Sequence, residues 1–395
     1  MEHDLLDGIY ICGAVRTAGG RRGGALSSWH PADLGGAVID ALLERTGMDP
    51  AGVDDVIFGC VSQIGPQTFN IARTAALSSS LPDTIPGVTI DRQCGSSQQA
   101  THFAAQAVAS GTQDVVIAGG VESMSMVPIL SAMTIGMEAG MPSPFGGKAI
   151  TARYPDEDFS QFVGAERVGR KYGVTRDELI EFAVASHVRA RAATDAGRFA
   201  GEIVPIDVQL SDGTTSQHVV DEGIREPDRE KIAALAPLVE GGLINAAMAS
   251  QITDGASAVL VANQRGVEEF GLTPIAAIRG LAVVGSDPAM VLEGPIPATR
   301  RLLERHAVKL DQVDLYEVNE AFGSIPLAWS HALGGDGDRL NVNGGAQALG
   351  HPLGATGTKL ITTLIHELRR RGDRFGVVAI CEGLGTANAT LIEAL

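Results

Sequence analysis

The sequence predicts an α/β protein of two like halves, the first of them interrupted by a long insertion. Three observations carry that prediction. The composition is 45% hydrophobic with 49 glycines and only 4% aromatic residues, which suits tight turns and helices packed closely on sheets. Val115-Val116-Ile117-Ala118-Gly119 and Val377-Val378-Ala379-Ile380-Cys381 are continuously apolar, as central strands covered on both faces are. These runs lie 262 positions apart. Leu42-Leu43-Glu44-Arg45 precedes Val53-Asp54 by the interval at which Leu302-Leu303-Glu304-Arg305, 260 positions on, precedes Val313-Asp314. Landmarks repeated at a preserved spacing indicate duplication rather than coincidence in a leucine- and alanine-rich chain. A chain of 395 residues also exceeds what one core usually holds. The division that follows is 1–121 with 250–272 as the first half, 122–249 as an inserted loop domain, and 273–395 as the second half.

In chain order, 8–15 reads as a first strand and 16–24 as a loop rich in glycine and arginine. A helix over 31–45, a strand over 53–61 and a helix over 71–78 follow. Val88 to Ile90 is a short β-branched strand end. Ala100, Phe103, Ala104, Ala107 and Val108 then fall on one face of a helix that stops near Gly111. From Glu122 the pattern breaks. Met124, Met126, Met133, Met137 and Met141 crowd together with Pro128, Pro142 and Pro144. Such adaptable side chains can grip a variable apolar ligand, and they equally suit loose packing of a long loop. Thr175-Arg176-Asp177-Glu178 is a capping box opening a helix to about Ala196. Ser250-Gln251-Ile252-Thr253-Asp254-Gly255 is expected to start a helix returning to the first half, and the second half begins near Pro274.

Charge and cysteine usage exclude several classes. A net charge of −17 argues against a nucleic-acid surface, and any polyanionic ligand must be met by local basic groups. Cys12, Cys60, Cys94 and Cys381 are scattered, with neither a disulfide framework nor metal-ligand spacing. Met1-Glu2-His3-Asp4 lacks the features of a signal peptide, and no apolar run is long enough to span a bilayer. The expectation is a soluble, cytoplasmic protein.

Three stretches can carry chemistry. Cys94 stands where a strand turns into a helix, just before the first helical turn. Free N–H groups and the positive end of the helix dipole there favour a thiolate. Free cysteine is also among the most buried residue types, so an inert core thiol fits this stretch alone equally well. The second stretch runs from Asn341-Val342-Asn343-Gly344-Gly345 through Gly350-His351-Pro352 to Leu353-Gly354-Ala355-Thr356-Gly357. It is no phosphate loop, since GxxxxGK[ST] is missing; it reads as a tight loop bringing His351 close to a ligand. The third, Cys381-Glu382-Gly383-Leu384-Gly385, puts a second thiol at the carboxyl end of a central strand, where α/β proteins keep their sites.

Gln93-Cys94-Gly95-Ser96, Asn319-Glu320-Ala321-Phe322, the Gly344-Gly345-Ala346 to Gly350-His351-Pro352 loop and the terminal Cys381-Glu382-Gly383 together resemble the thiolase family, in order and across essentially the whole chain. The resemblance implies a duplicated αβαβα five-layer fold and an acetyl-CoA acyltransferase. Such an enzyme cleaves a 3-ketoacyl-CoA with coenzyme A, giving acetyl-CoA and a shortened acyl-CoA. It implies Cys94 as nucleophile, His351 as base and Cys381 as acid. The Cys94 and Gly383 amides would form one oxyanion hole, and His351 with a water held by Asn319 the other. Arg225 and Ser250 match positions that contact coenzyme A, which is a co-substrate; no tightly bound cofactor and no metal are implied. The family pairs first-half sheets edge to edge, so a homodimer or homotetramer is expected.

Two departures point towards substrate. The family's usual C-x-G-G-G reads Cys381-Glu382-Gly383-Leu384-Gly385, and Ser160-Gln161-Phe162 stands where biosynthetic members carry His-Met-Gly. Both lie near the acyl pocket, and the pattern is closer to degradative thiolases, including those that shorten steroid side chains. The alternatives are a biosynthetic acetoacetyl-CoA thiolase, a ketoacyl synthase, against which Cys381 argues, and a non-catalytic acyl-CoA-binding protein.

Overall fold

The computed structural model describes residues 6–209 and 213–395; the tetrapeptide Met1 to Asp4, read above for export signals, lies outside the described residues. Nine strands carry the architecture: β1 Ile9–Thr17, β2 Asp55–Gly59, β3 Gly87–Ile90, β4 Val115–Ser123, β5 Thr253–Asn263, β6 Ala276–Gly285, β7 Leu315–Val318, β8 Phe375–Glu382 and β9 Thr386–Ala394. Among the described residues, the helices that matter most to the site and its scaffold are α1 Pro31–Thr46, α2 Ile71–Leu77, α3 Ser96–Ala109, α4 Gln161–Lys171, α5 Arg176–Asp195, α6 Pro295–Arg305, α7 Ser324–Leu333 and α8 Thr356–Arg371. The strands follow one path, β7-β8-β9-β6-β1-β5-β4-β2-β3, with two short strands attached at its side.

That path is two half-sheets joined through only two residue pairs, Tyr10 with Ala277 and Ile11 with Ala276. Helices α3 and α8 lie between them. Ala100, Ala104, Val108, Leu360, Ile361 and Leu364 fill one apolar layer with Ile57, Val116 and Val259 from the first half-sheet and Ile278, Val378 and Ile380 from the second. A separate core around Val38, Leu42, Phe58 and Ile71 covers the far side of the first half-sheet. Another, around Ile296, Leu302, Tyr316 and Trp329, covers the far side of the second. Helix and sheet thus alternate in five layers, because each half-sheet is apolar on both faces and must be covered twice.

The duplication extends to single hydrogen bonds. Asp54 Oδ2 accepts from the Asp114 and Val115 amides at 2.6 and 3.0 Å. Asp314 Oδ2, its counterpart, accepts from the Arg374 and Phe375 amides at 3.0 and 2.8 Å. The halves differ at one edge. The first ends in β3; at the same place the second keeps only a bridge between Tyr316 and Leu340.

Two expectations are corrected. The segment after Ser250 is strand β5, not a helix: it pairs with β1 on one side and β4 on the other. Ala256 to Ala262 is buried throughout, and a short apolar run of that kind cannot be assigned by periodicity alone. Arg16 and Thr17, expected in a loop, end β1. The Arg16 guanidinium is fully buried and bonds Glu202 Oε1 at 2.6 Å and Asp221 Oδ1 at 2.8 Å, tying the insertion to the first strand. Within the insertion the Thr175–Glu178 capping box forms with both arms in place. Of its methionines, Met124 is buried, while Met126, Met137 and Met141 are exposed. Among the described residues no helix is long and apolar enough to cross a membrane.

Candidate active site

Four candidate residues sit at carboxyl ends of strands or in the turns that lead into helices. Cys94 lies between β3 and α3, Asn319 follows β7, His351 precedes α8, and Cys381 ends β8. The turn carrying Cys94 is fixed by its own polar groups. Asp91 Oδ1 accepts from the Gln93 amide at 2.7 Å, the Arg92 amide donates to Ser96 Oγ at 2.9 Å, and Ser96 Oγ donates to the Gln93 carbonyl at 2.6 Å. These bonds hold Gln93 at φ 49°, a left-handed conformation that a non-glycine residue keeps only when its surroundings impose it.

His351 is placed by its backbone and by both ring nitrogens. Its amide donates to Thr253 Oγ1 at 3.1 Å, and Gly350, at φ 79°, has no room for a Cβ beside the Thr253 side chain. Thr356 Oγ1 gives its proton to the Pro352 carbonyl at 2.9 Å. Its oxygen therefore accepts from His351 Nδ1 at 2.6 Å, which fixes the tautomer. The lone pair is left on Nε2, where the Asn319 amide nitrogen donates at 3.3 Å. Burial, with the Lys359 charge, pushes the imidazole down to about 3, so the ring is neutral at pH 7 and able to take a proton. Lys359 Nζ donates to the Leu349 and Gly350 carbonyls at 2.6 and 2.8 Å and braces the loop from below.

Asn319 belongs to a tetrad whose acid is structural. The Glu320 carboxylate accepts from Ser186 Oγ, Asn341 Nδ2 and the Gln347 amide at 2.8, 2.9 and 3.0 Å. It thereby pins the loop that carries His351.

The Cys381 segment closes on the Cys94 turn. A Cβ on Gly95 would overlap the Glu382 carboxyl, and one on Gly383 would stand 3.3 Å from Gln93 Oε1. The expected thiolate at Cys94 is corrected here. Burial first, then the Glu382 charge, push its thiol up to about 12; its own backbone N–H pulls the other way and loses. Burial, Cys94 and Glu382 hold Cys381 well above the usual thiol range. Desolvation outweighs the helix N-terminus, and both resting thiols are protonated. Cys94 remains the accessible one: it is half-buried, whereas Cys12, Cys60 and Cys381 are buried. Brief iodoacetamide treatment followed by peptide mapping is therefore expected to label Cys94 first. Preferential labelling of Cys12 or Cys60 with activity intact contradicts this placement.

Arg225 and Ser250 flank the His351 loop. The exposed Arg225 guanidinium donates to Gln251 Oε1 at 3.2 Å. Gln251 Nε2 bonds the Gln347 carbonyl at 2.6 Å, and its own carbonyl accepts from the His351 amide at 3.3 Å. Ser250 donates its amide to Ala321 O at 2.9 Å. Phe162 meets the Phe322 ring edge-on with centroids 5.7 Å apart, which brings the Ser160-Gln161-Phe162 stretch to the Asn319 tetrad. The sequence assigns no role to Thr356, Lys359 or Gln251, although Thr356 and Gln251 lie in stretches it singles out. The only signal for Thr356 was a hydroxyl at the start of a helix five residues after His351.

A duplicated α/β chain that sets a thiol of one half against a thiol of the other, with a neutral imidazole held by Asn319 beside the second thiol's strand, has the groups for acyl transfer through sulfur. The comparisons define it further. The descriptions "Thiolase, N-terminal domain" and "Thiolase, C-terminal domain" match residues 9–265 and 272–394. The steroid 3-ketoacyl-CoA thiolase FadA6 of Mycobacterium tuberculosis is 51% identical over 98% of this chain and 94% of its own. A 3-ketoacyl-CoA thiolase of Marinobacter nauticus is 40% identical over 98% of both chains. Among solved structures, the Bacillus anthracis acetyl-CoA acetyltransferase superposes with a TM-score of 0.89 at 37% identity, covering 98% of this chain and 99% of its own. Human mitochondrial 3-ketoacyl-CoA thiolase also gives 0.89, at 34% identity, covering 99% of this chain and all of its own. The chain belongs to the thiolase family.

Proposed function

We propose that the chain is an acetyl-CoA C-acyltransferase that cleaves a 3-ketoacyl-CoA with coenzyme A through an acyl-Cys94 intermediate, in β-oxidation of a fatty-acyl or steroid side chain. The observation that carries the reading is the tautomer of His351, which leaves the Nε2 lone pair, met by the Asn319 amide nitrogen at 3.3 Å, as the ring's proton acceptor. Cys94 Sγ attacks the 3-keto carbon as its proton passes to Nε2. The C2–C3 bond breaks, and the acetyl-CoA carbanion takes the proton of Cys381. The proton on His351 then returns to the Cys381 thiolate. Coenzyme A gives its thiol proton to the freed imidazole and attacks the thioester carbonyl; Cys94 leaves and recovers that proton. Neutral thiols and a neutral imidazole at rest suit this sequence, since each charge forms only as a proton moves. The Cys94 and Gly383 amides serve one oxyanion, and His351 with a water held by Asn319 the other; losing one such donor costs about 2.7–4 kcal/mol of barrier.

Coenzyme A is a co-substrate in this reading, lying over the 122–249 insertion against Arg225 and Ser250 between the halves 1–121 with 250–272 and 273–395. The reading includes a cytoplasmic homodimer or homotetramer. The unpaired edge of β3, with Val88, Leu77 and Phe69 exposed beside it, supports subunit pairing there.

The substrate half of the reading rests on FadA6 and on the altered wall at Ser160-Gln161-Phe162. The Bacillus anthracis neighbour is an acetyl-CoA acetyltransferase, so the fold alone does not choose a chain length. A methylene in an apolar pocket discriminates by about 1–3 kcal/mol. Thiolysis kcat/KM is therefore expected to rise at least about tenfold from acetoacetyl-CoA to a medium, long or steroid-derived substrate. The check is coenzyme A-dependent loss of 3-ketoacyl-CoA absorbance across such a panel. Values that are flat, or that peak at four carbons, contradict it and favour the acetoacetyl-CoA thiolase.

A further inference from the structure

Glu382 stands where the family's pattern prescribes no acid, directly after Cys381. Its side chain is fully buried and wedged against Gly95, the residue after Cys94, where a Cβ would overlap its carboxyl. Glu382 pairs in register with Thr386 across the β8–β9 ladder. In the amide orientation that satisfies its neighbours, Asn388 donates to Glu382 Oε1 at 3.2 Å and accepts from the Gln99 amide at 3.2 Å. Oε2 is buried without a hydrogen-bond partner, so an ionised carboxylate here leaves a charged oxygen unpaired.

The titratable and charged groups acting on this carboxyl and its surroundings come from three elements. The Cys94 turn brings Asp91, Arg92 and Cys94, β8 brings Cys381, and β4 brings Glu122, which also raises the Cys94 thiol. From α3 and β9 the neighbours are the uncharged Gly95, Gln99, Thr386 and Asn388. We propose that Glu382 is a tuning residue of this site: its carboxyl stays protonated while the enzyme works, and on losing its proton in alkaline solution it suppresses ionisation of Cys94 and Cys381. Burial pushes the carboxyl up to about 8; the neighbouring Thr386 hydroxyl, which donates to the Gly383 carbonyl at 3.2 Å, and the Arg92 charge oppose that shift, and Asp91 adds to it. Below about pH 8 the group is neutral and leaves the thiols alone; above it, a negative charge beside two thiols raises the pKa of each. A thiol kept protonated by burial alone gains thiolate about tenfold per pH unit across this range, whereas Cys94 gains less once Glu382 has ionised.

The inference deepens the proposed function, but its test reads the thiol rather than turnover, so failure of one is distinguishable from failure of the other. Alkylation of Cys94 by iodoacetamide is followed by quantifying its peptide from pH 6.5 to 9.5 in the full-length enzyme. The wild-type logarithmic profile is expected to bend downwards near pH 8. E382Q is expected to show no bend, with rates within about twofold of wild type at pH 6.5 and at least about threefold faster at pH 9.5. R92Q, a change at a half-exposed position, removes the cation that favours ionised Glu382 and is expected to move the bend to higher pH. Parallel wild-type and E382Q profiles overturn the proposal. Should E382Q not fold, an R92Q bend at the wild-type pH overturns it.

Discussion

Cys94→Ala is expected to lower thiolysis kcat by at least about 10⁴-fold, because no other group in the site can carry the acyl chain between the two half-reactions. The His351 ring serves as the base, with its Nδ1 proton committed to Thr356, and Cys381 is fully buried near the end of β8. The loss should fall on kcat, with binding of acyl-CoA retained, since the sulfur contributes little to holding the ligand. Single-turnover measurements with an excess of enzyme separate the two. A variant that still forms an acyl-enzyme and turns over would remove Cys94 from the mechanism.

Cys381→Ala separates the roles of the two thiols. Acylation of Cys94 from a simple acyl-CoA makes no carbanion and should continue. Exchange of the α-protons of acetyl-CoA with solvent needs the acid at Cys381 and should fall by about 10²–10⁴-fold, the range of general acid–base catalysis. The measurement is deuterium incorporation into acetyl-CoA alongside acyl-enzyme formation. Exchange at the normal rate would show that another group delivers that proton.

What the sequence made legible, and what it did not, follows from the distances over which the forces act. The Cys94 turn could be read because the chain changes from β-branched residues to a helical stripe within ten positions, and β3 and α3 form there. The Cys381 strand end and the glycine-bounded His351 loop are local in the same sense. The strand Thr253–Asn263 could not be read, since a buried apolar run has no period to betray its conformation and only its two neighbours in the sheet decide. Arg16 looked like a loop arginine because its partners Glu202 and Asp221 lie 186 and 205 positions away. The thiol at Cys94 was expected to ionise from its place before a helix. Its burial reverses that expectation, and the carboxyl of Glu382, brought from the far end of the chain, adds to the effect once ionised. Local chemistry thus located the groups, while their protonation states came from the tertiary structure.

The central claim is that the acyl group rests on Cys94 between the two half-reactions. The direct measurement is peptide mass mapping of the enzyme after mixing with a 3-ketoacyl-CoA and no free coenzyme A. The account predicts a Cys94 peptide heavier by the shortened acyl group, one equivalent of acetyl-CoA released, and loss of the adduct on adding coenzyme A. An acyl group mapped to another residue, or coenzyme A-dependent turnover through which Cys94 never carries one, would contradict it.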